Sequence, residues 1–228
     1  VIIAAKTSFS STLSYMTGHL TGSNGMFDRL VQHLGYSVEV LAISVVIALP
    51  LGLVTGHTGK GGSLLSVLAN VSRALPTLGL LDIFAIAIGV GFNAALVPLV
   101  FIAVPSILVN TYVGIQGVDR SLVDAARGMG LTPGQILWRV EIPVALPLIG
   151  LGLRTAALQV VATATIAADV GVGGLGRFII DGDASQNFAE LGAGAVAVII
   201  LAIAIEALFL LTQRLVVSPG VRRPEARV

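Results

Sequence analysis

The sequence predicts an all-α polytopic membrane protein with five core transmembrane helices, an N-terminal interfacial helix and a helical hairpin on the cytoplasmic side. Three observations carry this. Of 228 residues, 55% are hydrophobic and 11% charged, with a mean hydropathy of +0.96, far more apolar than a soluble domain. The apolar residues gather in runs of about 20, the helical length that crosses a ~30 Å hydrocarbon core. Between the third and fourth runs lies a polar stretch, Asp124 to Pro147, punctuated as two helices. A chain of this length makes one compact unit. Cysteine is absent, which excludes a disulfide framework and thiolate metal or redox chemistry.

Residues 1 to 36 form an N-terminal external or interfacial segment. Val1 to Lys6 lacks the pattern of a secretory signal, and a start at Val rather than Met leads us to expect upstream residues. Met26, Phe27, Leu30, Val31 and Leu34 recur at helical spacing opposite Asp28, Arg29, Gln32 and His33, which predicts a helix lying at the membrane surface.

The core, residues 37 to 215, begins with a span over Val38 to Thr55 that is barely long enough to cross. The second run, about Ser63 to Val90, is too long for one straight helix, and Pro76 predicts a bend because it removes a backbone donor. The third span runs from Ala94 to Ile115, the fourth from Val144 to Ala168 and the fifth from Leu191 to Thr212. A Gly-rich loop over Val170 to Gln186 separates the last two, and residues 216 to 228 form a basic tail.

The hairpin is the most legible element. A helix starting at Asp119 or Ser121 stops at Gly128 or Gly130, where glycine accepts the left-handed geometry of a helix end. Thr132, Pro133 and Gln135 then supply an N-cap, a first-turn proline and a Thr-x-x-Gln capping box. The small residues Ala125, Ala126 and Gly128 permit close docking to a partner.

Positive charge orients the chain. Lys60, Arg73, Arg120, Arg127, Arg139, Arg154, Arg214, Arg222, Arg223 and Arg227 fall on the hairpin's side, against Lys6, Arg29 and Arg177 on the other. The hairpin and C-terminus are therefore expected in the cytoplasm, with the N-terminus and the 170–186 loop external.

Charges within the spans need water, a partner or the interface. Arg73 and Asp82 are about 13 Å apart along a helix and roughly half a turn out of phase, so they cannot pair there. Asp82 is expected either to pair with Arg154 or to line a wet cavity, with snorkelling of Arg154 and Arg73 as the alternative. Glu206 is a further partner for either arginine. Asn110, Tyr112, Gln159, Thr163 and Thr165 either line a path for a polar solute or hydrogen-bond helices together.

Two apparent nucleotide motifs fail. Gly171-Val-Gly173-Gly-Leu-Gly176 matches G-x-G-x-x-G but follows a run too long for a strand, and reads as a flexible turn. Gly59-Lys60 is followed by Gly61 where a phosphate-binding loop needs Ser or Thr, so an ATP site is expected on another polypeptide. His19, His33 and His57 read as solvated, without a carboxylate at a spacing that signals catalysis or metal binding. Asp181 and Asp183 read as a solvated turn.

Asp124-Ala-Ala, Gly130 and Val140-Glu141-Ile142-Pro143 resemble the EAA signature of permease subunits in binding-protein-dependent ABC importers, with Asp for Glu at 124 and Ile-Pro for Leu-Pro at 142 and 143. Asn110 to Gln116, Arg73 to Thr77, Gln159 to Thr165 and Gly173 to Asp181 are similar to the osmoprotectant branch, and the likeness covers roughly residues 36 to 215. This resemblance implies the type I ABC importer permease fold, related to the methionine permeases, and a loop at 117–143 that docks on a cytoplasmic ABC ATPase dimer. In that reading Asp124, Ala125, Ala126, Gly128, Gly130, Leu131 and Pro143 couple to the ATPase, which holds ATP and Mg, while this chain holds no cofactor or metal and performs no bond chemistry. It also implies a second permease copy or related permease, an external substrate-binding protein, surrounding membrane lipid and no nucleic acid. The solute is then a quaternary amine such as glycine betaine, carnitine or choline. An ABC permease for an amino acid and an ion-coupled secondary transporter are the alternatives.

Overall fold

The computed structural model describes the chain over residues 9–216, with side chains through Gln213. Lys6 and the basic tail lie outside the described residues. All regular structure among the described residues is helical. Four helices are long and apolar enough to cross a membrane, or five if one bent pair counts as a single span.

Helix α1 (Phe9–Gly18) precedes α2, which runs unbroken over Met26–Thr58 for 33 residues. The amphipathic stretch from Met26 to Leu34 is thus the opening of a long helix and no separate surface helix. A lone glycine, Gly35, is too weak a breaker to end it, since one glycine costs only about 1 kcal/mol in a helix interior. Helices α3 (Gly62–Ala74) and α4 (Thr77–Ile88) are bent by 85° at Pro76, as the proline predicts. Helix α5 (Phe92–Gln116) leads into the hairpin, α6 (Arg120–Gly128) and α7 (Pro133–Ile136). A π turn (Leu137–Glu141) carries α7 directly into α8 (Ile142–Ile166), so the hairpin's second arm continues into a span. After a 3-10 turn (Ala167–Val170) come α9 (Gly176–Ala184) and α10 (Phe188–Val216). The expected loop at 170–186 is therefore largely a helix.

The chain forms two compact units, where its length predicts one. The first comprises Val1–Ala42, Leu75–Val100 and Leu158–Ile205. Its core joins Met26, Val161, Leu175, Phe178, Ala193 and Leu201. The Tyr36 and Phe92 rings stack at 4.7 Å.

The glycines of the G-x-G-x-x-G match belong to this unit, and Gly173 and Gly176 serve close approach. A Cβ on Gly173 would strike the Gln32 and Arg29 side chains, and one on Gly174 would lie 3.0 Å from His33 Nδ1. Gly174 adopts φ +85°, which a side chain disfavours, and its N–H donates to Gln32 Oε1 at 3.2 Å. Gly176 abuts the Thr165 carbonyl and lies 2.8 Å, by its missing Cβ, from the Ala168 Cβ. The turn is a packed seam against α2.

The second unit comprises Ile43–Ala74, Phe101–Ala157 and Glu206–Val228. Gly52 and Gly56, one turn apart on α2, let α5 approach. A Cβ at either would sit 2.7 Å from the Cβ of Thr111 or of Ile115. Small residues at such crossings allow the close van der Waals contact that holds helices together in lipid. Ile115, Ala145 and Ile149 fill the adjoining core.

Candidate functional site: the polar hairpin

The hairpin has its own small core. Val118, Val123, Ala126 and Ile136 are buried, with Leu131, Val140 and Val144 against them. Helical spacing explains the inward face of α6: Val123 and Ala126 are three residues apart and share one side. Ala126 is thus part of the fold of the hairpin and is not a surface for a partner, whereas Asp124, Ala125, Gly128 and Gly130 are exposed. Leu131 is half-buried and Pro143 exposed.

Both helix starts are capped, at Thr132 as the sequence predicts and at Asp119, which the sequence marks only as a candidate helix start. Asp119 accepts from the Ser121 N–H at 2.9 Å, and that bond holds its carboxyl below the usual carboxylate range. Thr132 and Gln135 complete a reciprocal capping box. Between the helices Gly130 takes φ +82°. The ion pair of Asp124 with Arg127 is 3.4 Å long and exposed, so it contributes little to stability.

Sequence reasoning misses the apolar surface of the hairpin. Met129 is 74% and Trp138 69% exposed. Neither stands in the signature motif, and only the fold reveals that both face outward. A large exposed aromatic is the residue type that dominates binding energy at protein interfaces.

A part-buried His–Glu contact anchors the hairpin to α2. His57 Nδ1 lies 2.5 Å from Glu141 Oε2, and the Glu141 side chain is only 6% exposed. Gln116 Nε2 also donates to the Gly56 carbonyl. The expectation of a solvated His57 is overturned, because α2 extends to Thr58 and delivers the ring to the π turn. His33 is likewise buried, 1% exposed, with Nε2 3.1 Å from the Val161 carbonyl oxygen. His19 stacks on Tyr15 at 4.1 Å.

Arg154 binds Glu206 through both Nε, at 2.6 Å, and Nη2. This corrects the pairing with Asp82. Glu206 offers both carboxylate oxygens to the guanidinium fork, the geometry that best compensates desolvation. Asp82 forms no ion pair among the described residues. Asp181 pairs with Arg177 one turn earlier on α9 and is no free turn residue.

The polar set for a solute path is mostly turned inward on its own helices. Asn110 donates to the Ser106 carbonyl at 2.7 Å, Thr163 to the Gln159 carbonyl at 2.8 Å and Thr165 to the Val161 carbonyl at 3.0 Å. These bonds satisfy the donors without joining helices, the usual local alternative for such side chains. Tyr112 abuts Gly62, whose missing Cβ leaves room for its ring. Asn110 and Tyr112 belong to the second unit, and Gln159, Thr163 and Thr165 to the first.

Comparison with known proteins agrees with this architecture. The chain is 34% identical over 203 residues to the choline transport system permease protein OpuBB of Bacillus subtilis, which covers 89% of this chain and 94% of that protein. It is 35% identical over 207 residues to the glycine betaine/carnitine/choline transport system permease protein OpuCB of the same organism, covering 91% and 95%. The fold matches the MetNI methionine ABC transporter in an inward-facing conformation with a TM-score of 0.73 and 25% identity, covering 85% of this chain and 96% of that chain. The family described as binding-protein-dependent transport system inner membrane component matches residues 48–223, and the chain belongs to it.

Proposed function

We propose that this permease subunit imports a quaternary-amine osmoprotectant, such as glycine betaine, carnitine or choline, and takes its energy from a separate cytoplasmic ABC ATPase dimer that docks on the hairpin. The exposed face of the hairpin carries the reading: Asp124, Ala125, Met129 and Trp138 point outward from a core that stabilises their geometry. ATP and Mg belong to the ATPase. A second permease copy or a related permease completes the pathway, and an external binding protein delivers the solute. The charge distribution supports a cytoplasmic hairpin and C-terminus and an external N-terminus. Asn110, Tyr112, Gln159, Thr163 and Thr165 remain the polar residues proposed for the path. The permeases named above favour the quaternary amine over an amino acid.

The docking is tested by Ala125→Trp and Trp138→Ala. Each is expected to reduce ATPase co-purification and solute uptake together, Trp138→Ala by roughly 2 kcal/mol of binding, the size of an interface hot spot. Normal co-purification and uptake in both variants would overturn the docking. The substrate is tested by binding of glycine betaine, carnitine, choline and methionine to the partner binding protein. Selective binding of methionine would replace the osmoprotectant reading with an amino-acid permease.

A further inference from the structure

A cavity of about 260 Å³ opens in the first unit between α1, the turn before α2, α9 and the start of α10, with Tyr15, Arg29, Arg177, Phe178, Asp181 and Glu190 in its wall. Its size falls near the small end of ligand clefts, roughly 300–1,000 Å³, and suits a compact solute. Its charges are divided into engaged and available groups. Asp181 and Arg177 neutralise one another. Arg29 forms no ion pair among the described residues, and its guanidinium donates to the neutral Gln32 Oε1 at 3.1 Å. Glu190 likewise has no cationic partner among them, accepting from Asn187 Nδ2 at 3.2 Å. One half-buried cation and one half-buried anion therefore face a single cavity without being paired.

Tyr15 joins the anionic side. Burial first, and then the charges of Glu190 and Asp181, hold its phenol above the usual pKa, so the hydroxyl stays protonated and donates to Glu190. The Tyr15 ring meets Phe178 edge-on at 6.5 Å. The wall beside Glu190 is thus aromatic and negative, chemistry that accepts a methylated ammonium. The Arg29 fork matches a carboxylate.

We propose that this cavity binds a small zwitterion, its carboxylate at Arg29 and its quaternary ammonium between Glu190 and the Tyr15–Phe178 pair, as a solute site on the permease itself. The proposal deepens the osmoprotectant reading above and rests on it.

The test is equilibrium binding of radiolabelled glycine betaine and choline to the permease–ATPase complex in lipid nanodiscs, without the binding protein. Choline has the ammonium but no carboxylate. Arg29→Gln is expected to weaken glycine betaine roughly tenfold and leave choline within about twofold, while Glu190→Gln weakens both roughly tenfold, the loss expected for one charged hydrogen-bond partner. Asp28→Asn, a neighbouring exposed charge outside the cavity, controls for net charge, and ATPase activity with a monodisperse elution profile controls for folding. Wild-type complex that binds no glycine betaine, or folded Arg29→Gln and Glu190→Gln variants that bind it normally, would overturn the site. Equal loss of both ligands in Arg29→Gln would also overturn it, because the carboxylate would not be read. The osmoprotectant reading is judged separately, on the isolated binding protein, so either can fail while the other stands.

Discussion

His57 and Glu141 are 84 residues apart in the chain and 2.5 Å apart at their side-chain tips. Glu141 is buried, so breaking the contact leaves a polar group without its partner out of water, a larger cost than the contact's net stabilisation. Glu141→Ala is expected to lower stability by about 1.5–3 kcal/mol, the range for a hydrogen bond to a charged group. The His57→Ala, Glu141→Ala double variant should cost less than the sum of the singles. Denaturant unfolding in micelles measures both, and an unchanged midpoint in Glu141→Ala would show the contact to be idle. Neither residue was legible as a partner, since no local spacing joins positions brought together by two different helices. Arg154 and Glu206, with 52 residues between them, were legible only as one of several pairings. Composition restricts an intramembrane arginine to a carboxylate partner, water or the interface, and the choice of Glu206 over Asp82 belongs to helix packing.

At the scale of elements, local chemistry was read well where it is self-contained. The capping box at Thr132 and Gln135, the glycine turn at Gly130 and the bend at Pro76 all involve residues within one or two turns. Continuity was read less well. Met26 to Leu34 has an amphipathic period that suits a surface helix and equally suits the first turns of a buried one. The glycines of α2 show the same limit, because Gly52 and Gly56 become a contact face only once α5 lies across them. Gly52→Val is expected to destabilise the fold by about 1–3 kcal/mol through overpacking against Thr111. Gly35→Ala, where a Cβ meets nothing within 4 Å, should be neutral or stabilising. Folded yield after detergent extraction separates the two, and equal yields would remove the close-contact role from Gly52.

For the whole molecule, the exposed apolar surface decides the environment. Val38, Val46 and Val54 on α2 are 64%, 73% and 58% exposed, and Ile199, Ile203 and Leu208 on α10 are 57%, 63% and 61% exposed. A soluble monomer does not present such stripes, which lipid or a second permease covers at no cost in hydration. The proposed orientation is open to a direct measurement because the chain has no cysteine of its own. A membrane-impermeant thiol reagent applied from the cytoplasmic side is expected to label Ala125→Cys and spare Asp183→Cys, with the reverse from outside. Labelling of both from one side would overturn the topology.

By itself the sequence determined the membrane setting, the helical class, the approximate spans and the capped hairpin, because hydropathy, proline, glycine and capping residues act over a few neighbours. Only the tertiary structure decided which polar groups meet. It buried Ala126 inside the hairpin and turned Trp138 outward, brought His57 to Glu141 and Arg154 to Glu206, and set Gly173 and Gly174 against α2. The physical reason is that a side chain's partner across a helix crossing depends on the rotation and register of both helices. Those are set jointly by every close contact along the two faces, and no single stretch of chain contains them.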